Sequence, residues 1–178
     1  MYDQDSSTVV AVPDVILCDA SDLDFSQAGT VQASSPKDSQ LQSQGWLWFN
    51  NLGVSNEVGN LLYQGETPLR AGQIRLFTAD VAWRYGFSFS TAIKSPLGRT
   101  IPTDETWRFP GLFRYGIVLF QRQTDQTLRA WTIRAATAET PQEIEIDPGL
   151  DLYCGINDVK GKFGDNSGSF DLYLQVLA

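Results

Sequence analysis

The chain of 178 residues contains no histidine. Without an imidazole, Ser-His-Asp and Cys-His catalysis in their usual forms are excluded, as are His-based zinc and iron sites. Cysteine is almost as scarce, with Cys18 and Cys154 the two present, too few for a zinc site. Cys154 falls on the same strand face as Leu150, Leu152 and Ile156, which predicts a buried, inert thiol. A Cys18–Cys154 disulfide has no support from spacing. Basic residues are few: 13 Lys and Arg stand against 21 Asp and Glu, a net charge of −8. Nucleic-acid binding needs clustered Lys and Arg, so that class is disfavoured. No apolar run approaches the length of a membrane span. The N-terminus is acidic, the first basic residue is Lys37, and the apolar stretch at residues 9–17 is broken by Pro13 and Asp14. No signal peptide is therefore visible. Cytoplasmic synthesis is expected, with later release or a place in an extracellular particle left open.

What the chain does have is β-forming sequence. Hydrophobic residues make up 42% and aromatics 12%, a globular composition at a length suited to one domain with an appendage. From Trp46 onward, short apolar runs alternate with turn signals. Residues 46–49 read as a strand entering a turn at Asn50-Asn51-Leu52-Gly53, and Gly65-Glu66-Thr67-Pro68 reads as another turn. Residues 73–83 read as a strand buried on both sides or nearly so. Residues 114–121 and 128–134 form the next pair, joined at Gln123-Thr124-Asp125-Gln126, with Ile117 and Leu119 on one face and Val118 and Phe120 on the other. Residues 142–147 are a half-exposed alternation. No helical period of useful length and no internal repeat occur. The expectation is an all-β fold, an antiparallel β-sandwich over residues 46–178, burying Ile74, Leu76, Ile117, Leu119, Phe170, Leu172 and Leu174. Residues 1–45 read as an N-terminal arm or linker with short strands at 9–12 and 15–17. Asp19, Asp22 and Asp24 there form a solvated turn rather than a cation site.

One stretch concentrates chemistry. Between strands at 150–156 and 169–177, the loop carries Asn157, Asp158, Asp165, Asn166 and Ser167 with glycines at 161, 164 and 168. Hard cations such as Ca²⁺ take roughly six to eight oxygen ligands, and a loop pinned between strands can fix such oxygens in place. Glycine permits the positive φ that a tight wrap requires. The same residues also dominate ordinary hairpin turns for local reasons, and the EF-hand pattern is missing.

The run Asn157-Asp158-Val159, Gly161, Phe163-Gly164-Asp165-Asn166-Ser167-Gly168-Ser169-Phe170 resembles the end of the calcium-dependent galactose-binding lectins of the LecA (PA-IL) kind. A second patch, Ala71-Gly72-Gln73-Ile74 and then Ala82-Trp83-Arg84-Tyr85-Gly86, is similar to that family's first Tyr-Gly loop. The resemblance covers residues 46–178 loosely and these two patches closely. It implies a galactose-binding-domain-like sandwich of jelly-roll type and a Ca²⁺ ion. The ion would be held by the side chains of Asp158, Asp165 and Asn166 and the carbonyls of Tyr85 and Lys162. It also implies that two vicinal sugar hydroxyls meet the ion, near Asp158 and Asn166, with no bond cleaved. The family's sugar-contacting loop corresponds to Thr106-Trp107-Arg108-Phe109-Pro110-Gly111, which has no histidine, so the expected partner is a carbohydrate, galactose-like or another glycan. Trp107 either stacks on a sugar face or plugs the core. Arg84 and Arg108 read as solvated rim residues.

Two classes of function follow. The first is calcium-dependent carbohydrate binding without catalysis, which favours a homo-oligomer because single sugar sites bind weakly. The second is a structural or assembly module of a particle, phage tail or surface appendage, docking neighbours through its arm. Carboxylate pairs such as Glu143 and Glu145 suggest a glycosidase, but along a strand the two point the same way into solvent.

Overall fold

A computed structural model describes residues 11–65, 72–123 and 125–177. Val9, Val10, Ala71, Thr124 and the turn residues Glu66, Thr67 and Pro68 lie outside the described residues. In chain order the first strands are β1 (Val15–Asp19), β2 (Gly29–Thr30), β3 (Leu47–Gly53) and β4 (Asn60–Tyr63). Then come β5 (Gln73–Arg84), β6 (Ala92–Ile93), β7 (Arg99–Pro102), β8 (Phe113–Arg114) and β9 (Ile117–Arg122). The last are β10 (Thr127–Thr132), β11 (Gln142–Glu145), β12 (Leu152–Ile156) and β13 (Ser167–Leu177). One short helix, α1 (Ser39–Ser43), is capped by the Asp38 side chain, which accepts from Gln40 N and Leu41 N.

The architecture is the expected antiparallel β-sandwich. One sheet runs β1-β10-β9-β12-β4-β2; the other runs β11-β5-β13-β3, with β6 beside β5. Between them lies a core that includes Phe49 and Leu52 of β3, Leu76 of β5, Leu119 of β9, Cys154 of β12 and Phe170 and Leu172 of β13. All seven residues expected in the core are buried. Strand alternation explains the layering: Leu152, Cys154 and Ile156 face the main core, while Tyr153 faces the other side.

Three local expectations are corrected. Asn50-Asn51-Leu52-Gly53 is not a turn: β3 continues to Gly53, and Asn51 takes φ 54°. Its pairing with β13 slips between Phe170 and Leu172, a bulge that lets Phe49 and Leu52, three residues apart, both point inward. Asp171 is buried there and serves the irregularity, accepting from Asn51 N at 2.9 Å and Trp48 Nε1 at 3.0 Å. Second, residues 114–121 are not one strand. Tyr115, at φ 60°, separates β8 from β9. Third, β5 is not buried on both sides along its length, since Arg75 and Ala79 are partly exposed and Asp80 is exposed at φ 50°.

The segment before Trp46 lies against the sandwich. β1 and β2 form the two edges of the six-stranded sheet, β2 pairing parallel to β4. Leu23, Phe25 and Ala28 pack on a second apolar cluster made by Val118, Phe120, Leu128, Ala130, Tyr153, Phe109 and Leu112. The cause is in β9, whose first five residues are all buried. Its outward residues Val118 and Phe120 need their own cover, which residues 20–28 and the loop before β8 supply.

Candidate functional site

The loop between β12 and β13 is anchored at both ends and in the middle. Asn157 is fully buried. Its Oδ1 accepts from Phe109 N at 2.9 Å, and its Nδ2 donates to Phe109 O at 3.0 Å and Phe113 O at 3.1 Å. Its backbone N donates to Gly116 O and its carbonyl accepts from Tyr115 N. Asn157 is therefore fully employed in clamping residues 103–116. Further bonds extend the zipper: Arg108 N to Asp158 O at 2.9 Å, Lys160 N to Thr106 O at 3.0 Å, and a bridge between Trp107 and Val159. Phe163, 3% exposed, plugs the loop into the main core. Gly161 and Gly168 take φ of 81° and 98°. At Gly168 a Cβ would lie 2.4 Å from Ala82 O, so no larger residue fits. Gly164, in the short 3-10 turn Phe163–Asp165, is not among the positive-φ glycines.

Two of the expected ligands meet directly. Asp158 is 3% exposed and Asn166 is 6% exposed. Asp158 Oδ1 accepts from Val159 N at 2.7 Å, and its Oδ2 accepts from Asn166 Nδ2 at 2.9 Å. Asn166 Nδ2 also donates to Val54 O at 3.0 Å. With the amide nitrogen fixed by two acceptors, Asn166 Oδ1 is left buried and without a partner. Burial pushes the Asp158 carboxyl above its ordinary range; the hydrogen bonds from Asn166 and Val159 oppose this, and the charges of Asp165 and Glu57 add to it. Among the described residues, no cationic side chain forms an ion pair with Asp158.

The other expected residues differ in exposure and in what they touch. Asp165 is exposed and Lys162 is exposed, its N–H closing a turn onto Val159 O at 2.9 Å. The Tyr85 ring stacks on Tyr115 at 3.7 Å and an interplanar angle of 2°. Burial raises the Tyr115 hydroxyl to about 12, and the negative charges of Asp158 and Asp165 add to that. Trp107 is 6% exposed, set edge-on to Tyr115 with the Arg114 guanidinium over its ring. Of its two expected roles, this is the one closer to a core plug.

Arg108 corrects the rim expectation. It is fully buried. Its Nη1 and Nη2 donate to the Asp22 carboxylate at 3.1 and 3.0 Å, and Nη2 also pairs with Glu57 Oε2. Burial pulls the guanidinium pKa down, but the hydrogen bonds to Asp22 and Glu57 carry it above its ordinary value. Arg84 is partly exposed and lies over Phe89. Sequence reasoning missed Glu57, Asp22 and Tyr115 as neighbours of the site. One available signal was a lone arginine inside the apolar run Trp107-Arg108-Phe109, where water is scarce and a charge needs partners.

Among the described residues, no group of three or more His, Cys, Asp or Glu is arranged to hold a metal ion. The expected ligand set has two carboxylates, an amide oxygen and two carbonyls, a donor mix of the oxygen type that suits Ca²⁺. The buried, unpartnered Asn166 Oδ1 beside an uncompensated buried carboxylate fits such an ion.

No protein-family model matches the chain, and no curated protein matches it. Among solved structures it is similar to one described as the EclA N-terminal domain, a PllA-like lectin. The identity is 19% and the TM-score 0.40, over 74% of this chain and 98% of that one.

Proposed function

We propose that this protein binds carbohydrate through a calcium ion held by Asp158, Asp165 and Asn166 and the carbonyls of Tyr85 and Lys162, without catalysing a reaction. The observation that carries the reading is Asn166 Oδ1, buried without a hydrogen-bond partner next to Asp158. An unmet acceptor costs roughly 1–3 kcal/mol, and a buried carboxylate without a counter-charge costs more. One cation relieves both. When bound, calcium supplies Lewis-acid positions that two neighbouring sugar hydroxyls can occupy. The chain's own residues then set orientation. Trp107 has its ring committed to Tyr115 and Arg114. Phe87, which follows Tyr85 and is 94% exposed, is free to meet the apolar face of a sugar ring.

The test is a glycan array on the full chain in CaCl₂ and in EDTA. Glycan binding in calcium that EDTA abolishes is the expected result; no glycan signal in either buffer overturns the reading.

A second reading, an assembly module, is favoured by one observation. β1 sits at a sheet edge, and Leu17 on it is 70% exposed. Such an edge can accept a neighbour's strand. Sedimentation velocity of Leu17→Lys against the unmutated chain tests it: loss of an oligomer supports assembly, and an unchanged sedimentation coefficient removes the reason for it.

A further inference from the structure

We propose that Arg108, gripped by Asp22, is a positioning residue for the calcium loop, and that the segment before Trp46 is thereby a working part of the binding site. This inference rests on the calcium reading above. Arg108 reaches the loop twice. Its backbone N–H holds the Asp158 carbonyl at 2.9 Å. Its guanidinium holds Glu57, whose other oxygen, Oε1, accepts from Gly161 N at 2.6 Å. Gly161 has φ 81°, so this hydrogen bond pins the loop where its backbone turns. Asp158 and Gly161 bracket the stretch that leads into Lys162; Arg108 holds the first through its backbone N–H and the second through its guanidinium and Glu57.

The fork is in turn fixed by Asp22. Two parallel bonds to one carboxylate set the plane of a guanidinium as well as its place. Asp22 is half exposed, Glu57 a quarter exposed and Arg108 fully buried. Arg108 Nε has no partner of its own, so the two carboxylates are what hold the head group. A purely structural role would be met as well by an apolar residue of similar volume, since buried ion pairs seldom add net stability. What an apolar residue would not do is hold Glu57. Glu57 adds to the negative field at Asp158, and Arg108 keeps that charge tied at a fixed place.

Side chains that orient a ligand-bearing loop typically change metal affinity by 10–100-fold when removed. The experiment is calorimetric titration of CaCl₂ into the full chain, as wild type, Asp22→Asn, Asp22→Glu and Arg108→Lys. Lysine keeps the charge but cannot bridge two carboxylates with a planar fork. Thermal melting in EDTA confirms that each variant is folded at the titration temperature. Asp22→Asn and Arg108→Lys should weaken calcium binding at least tenfold, with Asp22→Glu recovering part of the loss. Faster exchange of the Gly161 amide in Asp22→Asn should accompany it. A merely structural role lowers the melting temperature and leaves the affinity of the folded chain alone. Wild-type binding with Asp22→Asn within twofold of it overturns this inference and spares the calcium reading. A wild type that takes up no calcium overturns both.

Discussion

Replacing Asp158 by Asn separates a metal ligand from a structural residue, because the two roles predict opposite patterns of stability. In the chain without metal, Asp158 is 3% exposed, and its carboxyl is raised by burial and by the charges of Asp165 and Glu57. Asparagine removes that charge, a relief worth several kcal/mol for a buried ion after relaxation. It also turns one acceptor oxygen into a donor. That donor then faces either Asn166 Nδ2 or Val159 N, which now donate at 2.9 and 2.7 Å. Losing one hydrogen bond to a charged group costs about 1.5–3 kcal/mol. The two effects oppose each other, so in EDTA the variant should melt within a few degrees of wild type. Calcium breaks the tie. At about a hundredfold excess over Kd, a ligand that binds the native state alone adds about 2.7 kcal/mol. For a chain of this size each kcal/mol moves Tm by about 2–4 °C, so wild type should rise by about 5–10 °C. Asp158→Asn should show no rise. Scanning calorimetry in EDTA, CaCl₂ and MgCl₂ reads all three quantities. Equal wild-type melting in CaCl₂ and EDTA would refute the calcium assignment. A full rise in the variant would refute the ligand role of Asp158.

Three further outcomes are expected. Asn157→Ala should cost about 2–4 kcal/mol by urea titration: Phe109 O and Phe113 O keep Leu112 N and Gly116 N as donors, but Phe109 N is stranded in the interior. A loss under 1 kcal/mol would show that the loop before β8 does not depend on this clamp. The Asp22 carboxyl is held below its ordinary value of 3.8, first by its hydrogen bond from Arg108. A depressed folded pKa gives stability that is present above the unfolded pKa and lost as pH falls through the folded one. The stability gap between wild type and Asp22→Asn should therefore be constant near neutrality and close below about pH 4, and a gap unchanged at pH 2 would contradict the pairing. Finally, Cys154 is fully buried with its thiol pushed up by burial, and burial raises Cys18 to about 11. Neither should react quickly with an aromatic disulfide reagent at pH 7.5 until urea is added; a fast native thiol would falsify that placement.

The parts of this molecule that were legible in the sequence are those that depend on one strand at a time. Alternation along β12 and β13 places Cys154, Phe170, Leu172 and Leu174 in the core because side-chain direction has period two whatever the partner is. The bulge at Asn51 was not legible. It is set by Asp171, 120 residues away, and Asn-Asn-Leu-Gly read in isolation favours a turn. Arg108 failed in the same way: a charge is taken as solvated unless its partners are known, and Asp22 and Glu57 are 86 and 51 residues off in sequence. The covering of the six-stranded sheet by residues 20–28 did leave a trace. Val118 and Phe120 opposite Ile117 and Leu119 make β9 apolar on both faces, and a strand of that kind needs a layer on each side. Read forward, that requirement joins the fold to the candidate site. The layer that covers Val118 and Phe120 brings Asp22 beside Arg108, and Arg108 holds the loop carrying Asp158. Apolar side chains such as Leu23 and Phe25 thus bear on where the oxygen-bearing loop stands, because the cover they form seats Asp22 beside Arg108.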